Sequence, residues 1–140
     1  MDIRHLLRDP VSVDGPGMNV PLAVAGLLAV AIALAHSWLG ERYILIRLLR
    51  RQDLPQLFGS DVFTKRTLRF AWHLTTIAWC GFGALLLRAA WSPSADTSAT
   101  ARIVAATFLI SAVVAGIGSR GRHWSWIVFL AIAAGAFFGS

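Results

Sequence analysis

Long apolar runs separated by short polar stretches set the ground plan of this chain. A helix needs roughly 20 residues to cross the ~30 Å hydrocarbon core of a bilayer, and four stretches meet or approach that length: residues 20–39, 68–91, 102–118 and 123–139. The last two are the shortest and are expected to stand upright, using flanking Arg and Trp to reach the interface; the second is the longest and is expected to tilt. Between the first two runs, residues 41–52 follow a different pattern. Tyr43, Arg47, Arg50 and Arg51 fall on one helical face and Ile44, Leu45, Leu48 and Leu49 on the other, as in a helix lying flat among headgroups. Pro55 and Gly59 break that helix, and Ser60 with Asp61 predicts an N-cap for the helix that carries the second run. Residues 1–19 hold two prolines, two glycines and alternating charges without a sustained period, which predicts a flexible tail. The expected fold is therefore all-α: one domain over residues 20–140, a four-helix transmembrane bundle with a short amphipathic helix on the cytoplasmic side.

Composition narrows the setting. Of the 140 residues, 56% are apolar and 14% charged, too apolar a balance for a soluble globule. Thirteen Lys and Arg stand against seven Asp and Glu. In so apolar a chain this excess points to anionic lipid rather than nucleic acid, with Arg47, Arg50 and Arg51 as the headgroup contacts. A secretory signal is not expected of the first run, because Arg42, Arg47, Arg50 and Arg51 follow it and resist export. Nine Lys and Arg lie in the loops after the first and third runs, and four, Arg4, Arg8, Arg88 and Arg102, lie on the other side. That asymmetry predicts an inner, plasma membrane of bacterial type, with both termini outside the cytoplasm. The single cysteine, Cys80, excludes an intramolecular disulfide and reads as a packing residue.

Histidine is uncommon in lipid and is by default a functional candidate there. His36 lies near the end of the first run, His73 near the start of the second and His123 at the start of the fourth, so an up-down-up-down chain brings all three to one membrane face. His36 shares a face with Ala25, Ala29, Ala33 and Gly40, and His73 with Thr76, Cys80, Gly83 and Ala84, the small-residue faces on which membrane helices approach closely. Glu41 adds a carboxylate, and Ser37, Thr75 and Thr76 add hydroxyls. Three imidazoles and a carboxylate (His36, His73, His123, Glu41) are a reasonable first shell for a transition metal, and His36 with His73 could hold a haem axially. The spacing matches no HExxH, paired-cysteine or di-iron motif. The competing expectation is that these histidines hydrogen-bond neighbouring carbonyls, hydroxyls or Glu41 and tie helix ends together.

Trp38, Trp72, Trp124, Trp126 and Tyr43 crowd one boundary and Trp91 marks the other, as an interfacial aromatic belt does. Small residues four apart (Ser111 and Ala115, Ala112 and Gly116, Gly135 and Gly139) are packing seams, one of which could serve a homodimer or a membrane partner. The run from Gly118 to Arg122 predicts a tight reversal carrying basic residues.

HSWLGER from His36 to Arg42, AWHLTTIAW from Ala71 to Trp79 and GSRGRHWSW from Gly118 to Trp126 together resemble a group of small, uncharacterised bacterial membrane proteins with four predicted spans and histidine-centred motifs in this order. The resemblance covers roughly residues 20–139. It implies a bacterial origin and the same topology, and it assigns no catalytic role. No nucleophile stands at a recognisable spacing from a base, so the expectation leans away from an enzyme. Two functional expectations remain: a polar site near the cytoplasmic face that binds a metal or haem or relays protons, and a non-catalytic membrane component whose helix seams dock a partner.

Overall fold

A computed structural model describes residues 17–140, and every described helix belongs to one up-and-down bundle. α1 runs Val20–Leu39, passes into a π-helical turn over Gly40–Leu45 and ends in the short α2, Ile46–Leu48. α3 spans Val62–Trp91, α4 Ala95–Gly118 and α5 Ser125–Phe138. No strand occurs among the described residues beyond an isolated bridge between Leu57 and Ser60. α1 packs on α3 and α5, and α4 packs on α5 and α3, so the four long helices close a square.

Three helical segments, Val20–Leu48, Val62–Trp91 and Ala95–Gly118, are long and apolar enough to cross a membrane. α5 has 14 residues, about 21 Å at ~1.5 Å per residue, and is shorter than the run from 123 to 139 suggested. His123 and Trp124 stand outside it, because the reversal before it consumes them. Arg120 and Gly121 both take positive φ there, 52° and 73°. The Gly121 amide donates to the carbonyl of Gly116 at 2.8 Å, which closes the end of α4.

Helix starts differ from the apolar runs for a common reason: a polar first turn is invisible to hydropathy. α4 begins seven residues before the run at 102, because Ser94 and Thr97 form a reciprocal capping box and Asp96 sits in the positive first turn. α3 begins at Val62, with Asp61 at the N-cap position as expected. Its carboxylate, however, makes no capping bond and instead pairs with Lys65 one turn on, at 2.6 Å. The amphipathic segment expected over 41–52 is helical as far as Leu48 and runs on from α1 instead of starting afresh. Of the tail expected over 1–19, residues 1–16 lie outside the described residues. Asn19, at its end, is firmly held: its Oδ1 caps α1 by accepting from the Leu22 amide at 3.2 Å, and its Nδ2 donates to the Gly139 carbonyl at 2.7 Å. The Asn19 amide donates to the Ala90 carbonyl at 2.9 Å, so one residue joins the ends of α1, α3 and α5.

The packing is that of a lipid-facing protein. Alanine dominates the buried set, with Ala25, Ala29, Ala33, Ala90 and Ala136 inaccessible, while Leu27, Leu34, Ile77, Ile103, Ile110 and Ile117 are exposed. In water this would place the costly surface outside; in hydrocarbon nothing is gained by burying a leucine, and close backbone approach decides the interface. Gly26 and Gly83 mark that approach. A Cβ on Gly26 would stand 2.9 Å from the Gly83 carbonyl, and one on Gly83 would stand 2.9 Å from the Gly26 carbonyl. Gly135, from a seam expected to be available for a homodimer, is spent inside the chain: a Cβ there would meet Ala25 at 3.1 Å, and one on Gly139 would meet Asn19 at 2.8 Å. Larger rings fill the remaining interior, with Phe82, Phe108, Phe129 and Trp79 in successive contact.

Gly83→Val is expected to lower the stability of the detergent-solubilised protein by about 1–3 kcal/mol, the cost of overpacking a close contact. Gly81→Val, where nothing lies within 4 Å of the added Cβ, is expected to change it little. Thermal or SDS unfolding of the two variants measures the difference.

Candidate functional site

The end of the bundle where α1 stops, α3 passes and α5 begins gathers His36, Ser37, Glu41, Arg69, His73 and His123. Trp72 organises it. Its indole Nε1 donates to the His36 carbonyl at 3.1 Å, and its ring lies over Gly40, where a Cβ would fall 2.1 Å from Nε1. Only glycine admits the ring there. The π-helical turn begins at this same glycine, whose amide is shared between the His36 and Ser37 carbonyls, as expected where a side chain inserts into the helical hydrogen-bond ladder.

His36 and Ser37, adjacent in sequence, meet different partners across the α1–α3 seam. The His36 imidazole stacks on Trp72 with centroids 4.4 Å apart and planes 3° from parallel, and Trp79 leans on it at 4.8 Å. Its Nε2 is buried without a hydrogen-bond partner, as is Oγ1 of Thr76, a situation that costs about 1–3 kcal/mol per group. Ser37 turns away to the next residue of α3: its Oγ lies 2.6 Å from His73 Nδ1. The opposite nitrogen, His73 Nε2, is 3.3 Å from Glu41 Oε2, and Glu41 Oε1 is 3.0 Å from Arg69. The result is an unbroken line of hydroxyl, imidazole, carboxylate and guanidinium. Ser37 is distinctive in this respect, because Thr75, Thr100, Thr107 and Ser111 all donate to the carbonyl four residues back, the usual fate of a hydroxyl in a membrane helix.

His123 stands apart at the start of α5. Its Nδ1 is 2.8 Å from Ser125 Oγ and accepts from the Ser125 amide at 3.3 Å, so the neutral ring carries its proton on Nε2. His36 and His123 line a common cavity of about 510 Å³ with Trp72, Trp79, Tyr43 and Phe129. His73 does not line it.

The three histidines thus come to one end of the bundle, but in three different surroundings. Among the described residues no three of His, Cys, Asp or Glu are grouped to hold a metal ion. The set expected from sequence, His36, His73, His123 and Glu41, does not converge, and both nitrogens of His73 are already engaged. His36 and His73, the pair expected for axial haem ligation, face different partners: Trp72 stacks on the first ring, and Ser37 and Glu41 engage the second. No family model matches this chain, and no curated protein or solved structure is significantly similar to it.

Outside the spans, the arginines expected at headgroups divide. Arg51 is taken by Asp53, with Nε donating to Oδ1 at 2.8 Å, whereas Arg47 and Arg50 form no ion pair among the described residues. A second, basic concavity of about 500 Å³ lies nearby, lined by Leu49, Lys65, Arg66, Arg69 and Phe70.

His73 bonds a hydroxyl and Glu41, as the competing expectation from sequence had it; the specific Ser37–His73 partnership was not expected, and Arg69 entered only as a loop charge. The available signal was a shared spacing: Ser37 and Glu41 are four apart on one helix, and Arg69 and His73 four apart on the next, so antiparallel helices in register must oppose them in order.

The Asp53 carboxyl is held down at about 2, first by its hydrogen bonds from the Arg51 guanidinium, next by a backbone hydrogen bond at Asp53 itself, and least by the Arg51 charge. A depressed carboxyl contributes above its unfolded value and loses that contribution as pH falls through the folded one, so this contact persists across pH 4–7. Arg51→Ala is expected to raise the Asp53 titration toward the ordinary carboxylate range, read by carbon-detected NMR of labelled protein.

Proposed function

We propose that this chain is a multi-pass protein of a bacterial inner membrane, and that the Ser37–His73–Glu41–Arg69 line is a proton relay between interfacial water and the bundle interior. The observation that carries this reading is the double engagement of His73. One nitrogen faces a hydroxyl and the other a carboxylate, so a proton gained at Nδ1 can leave from Nε2, as an imidazole shuttle requires. Glu41 and His73 keep 32% and 37% of their side chains exposed, which leaves the outer end of the line in reach of water. Arg69 lies 3.0 Å from the other oxygen of that carboxylate and holds it in place at the end of the line.

The balance of nine basic loop residues against four supports a cytoplasmic location for this end, with the described C-terminus on the outer side. Arg47, Arg50 and the basic concavity at Lys65, Arg66 and Arg69 would then meet anionic headgroups, with Phe70 and Leu49 toward the acyl chains. The resemblance in the three histidine-centred strings agrees with a bacterial setting, because those strings hold the residues that build this end.

A second reading is favoured by the closed bonding of the line: the same contacts tie α1 to α3 in a non-catalytic membrane component. Exchange of the His73 ring proton with deuterated solvent separates the two. In lipid nanodiscs, Glu41→Gln is expected to slow that exchange at least several-fold while the helical circular dichroism stays unchanged. Equal rates in the variant and the parent would leave only a structural tie. Reporter fusions at the C-terminus test the orientation, with periplasmic activity the expected result and cytoplasmic activity the opposite one.

A further inference from the structure

The cavity at His36 is separate from the relay line, and its chemistry is specific. Its walls are Trp72, Trp79, Phe129 and Tyr43, with Ile32, Leu39 and Ile44 beside them, and no Lys, Arg, Asp or Glu lines it. A volume of about 510 Å³ falls in the range of small-molecule sites. Tyr43, Leu39 and Ile44 are themselves exposed on the outer surface of the bundle, so the cavity opens on the side from which a lipid-dissolved molecule would arrive.

The absence of any charge in the lining argues against an anionic ligand, which would enter without a counter-charge. Haem fails on this ground, since no lining cation would meet its propionates. The polar side chains in the lining are His123, whose Nδ1 accepts from the Ser125 amide and leaves Nε2 as the donor, Tyr43, His36, whose Nε2 is buried and unpartnered, and Ser125, whose hydroxyl is bonded to His123. Two of these are donors, and donors in an apolar pocket call for acceptor oxygens. The rings of Trp72, Trp79 and Phe129 favour a flat ring between them, and the apolar side chains beside them suit an alkyl tail.

We infer that this cavity binds a lipid-soluble quinone, with its ring against Trp72 and Trp79, its carbonyl oxygens accepting from His123 and Tyr43 or His36, and its tail leaving past Leu39 and Ile44 toward lipid. The inference rests on the reading of the chain as lipid-embedded and does not require the relay.

The experiment is a titration of the full chain in nanodiscs with decylubiquinone, read by tryptophan quenching, with protein-free nanodiscs as the partition control. Azido-quinone cross-linking, mapped by mass spectrometry, locates the site. Saturable binding is expected, weakened at least tenfold by His123→Ala and by Ala35→Phe, which fills the cavity from its wall, with cross-links on residues 36–44 and 72–79. His123 is exposed, so its removal should leave the bundle intact, and circular dichroism checks this. Glu41→Gln breaks the relay and is expected to leave quinone affinity unchanged, so the two ideas fail separately. Non-saturable quenching equal to partition, or saturable binding indifferent to both cavity variants, would overturn the proposal.

Discussion

The contact on which the rest of this structure depends is the glycine-to-glycine approach of α1 and α3. Gly26 and Gly83 each leave room for the other's carbonyl, and that single crossing fixes how far the two helices are slid past one another. From there the register propagates. Eleven residues on along α1 and ten back along α3 from that crossing, Ser37 meets His73, and four residues further on each helix Glu41 meets Arg69. A slip of one residue would face Ser37 with Trp72 or Leu74 and break the polar line at every point, so the chemistry at the bundle end is set by steric contact some two to three turns away.

Trp72 adds a second constraint at that end. Its ring occupies space that only a glycine at position 40 can leave, and it bonds the His36 carbonyl that also accepts from the Gly40 amide. The π-helical turn that follows shifts the phase of α1 before Glu41 and Tyr43, placing the carboxylate beside His73 and the phenol on the rim of the cavity. The local break in helical geometry and the two polar environments therefore arise from one inserted indole.

Much of this was legible in the sequence. The apolar runs gave helices and their order, and small residues at four-residue spacing gave the faces that meet. Asn19 was not legible, because its role depends on a carbonyl 120 positions away. The early start of α4 was missed, where a capping box supports a polar first turn; the start of α3 after Asp61 was expected, but not the pairing of that carboxylate with Lys65. At the site, residue type suggested a metal shell from His36, His73, His123 and Glu41, but neighbours in sequence point to opposite sides of a helix seam. His36 is committed to aromatic stacking and His73 to Ser37, a division that the list of residues could not reveal and the α1–α3 register could.

Asn19 has one further implication. It stands within hydrogen-bond reach of Gly139, so the first and last turns of the bundle lie side by side and the domain is nearly a closed ring of helices. A short linker across that junction, with new ends opened in the exposed stretch between Leu49 and Ser60, would preserve every interhelical contact described above. The order in which the helices leave the ribosome is thus separable from the architecture they form, and a permuted chain could ask whether α5 needs α1 already in place before so short a helix can seat itself.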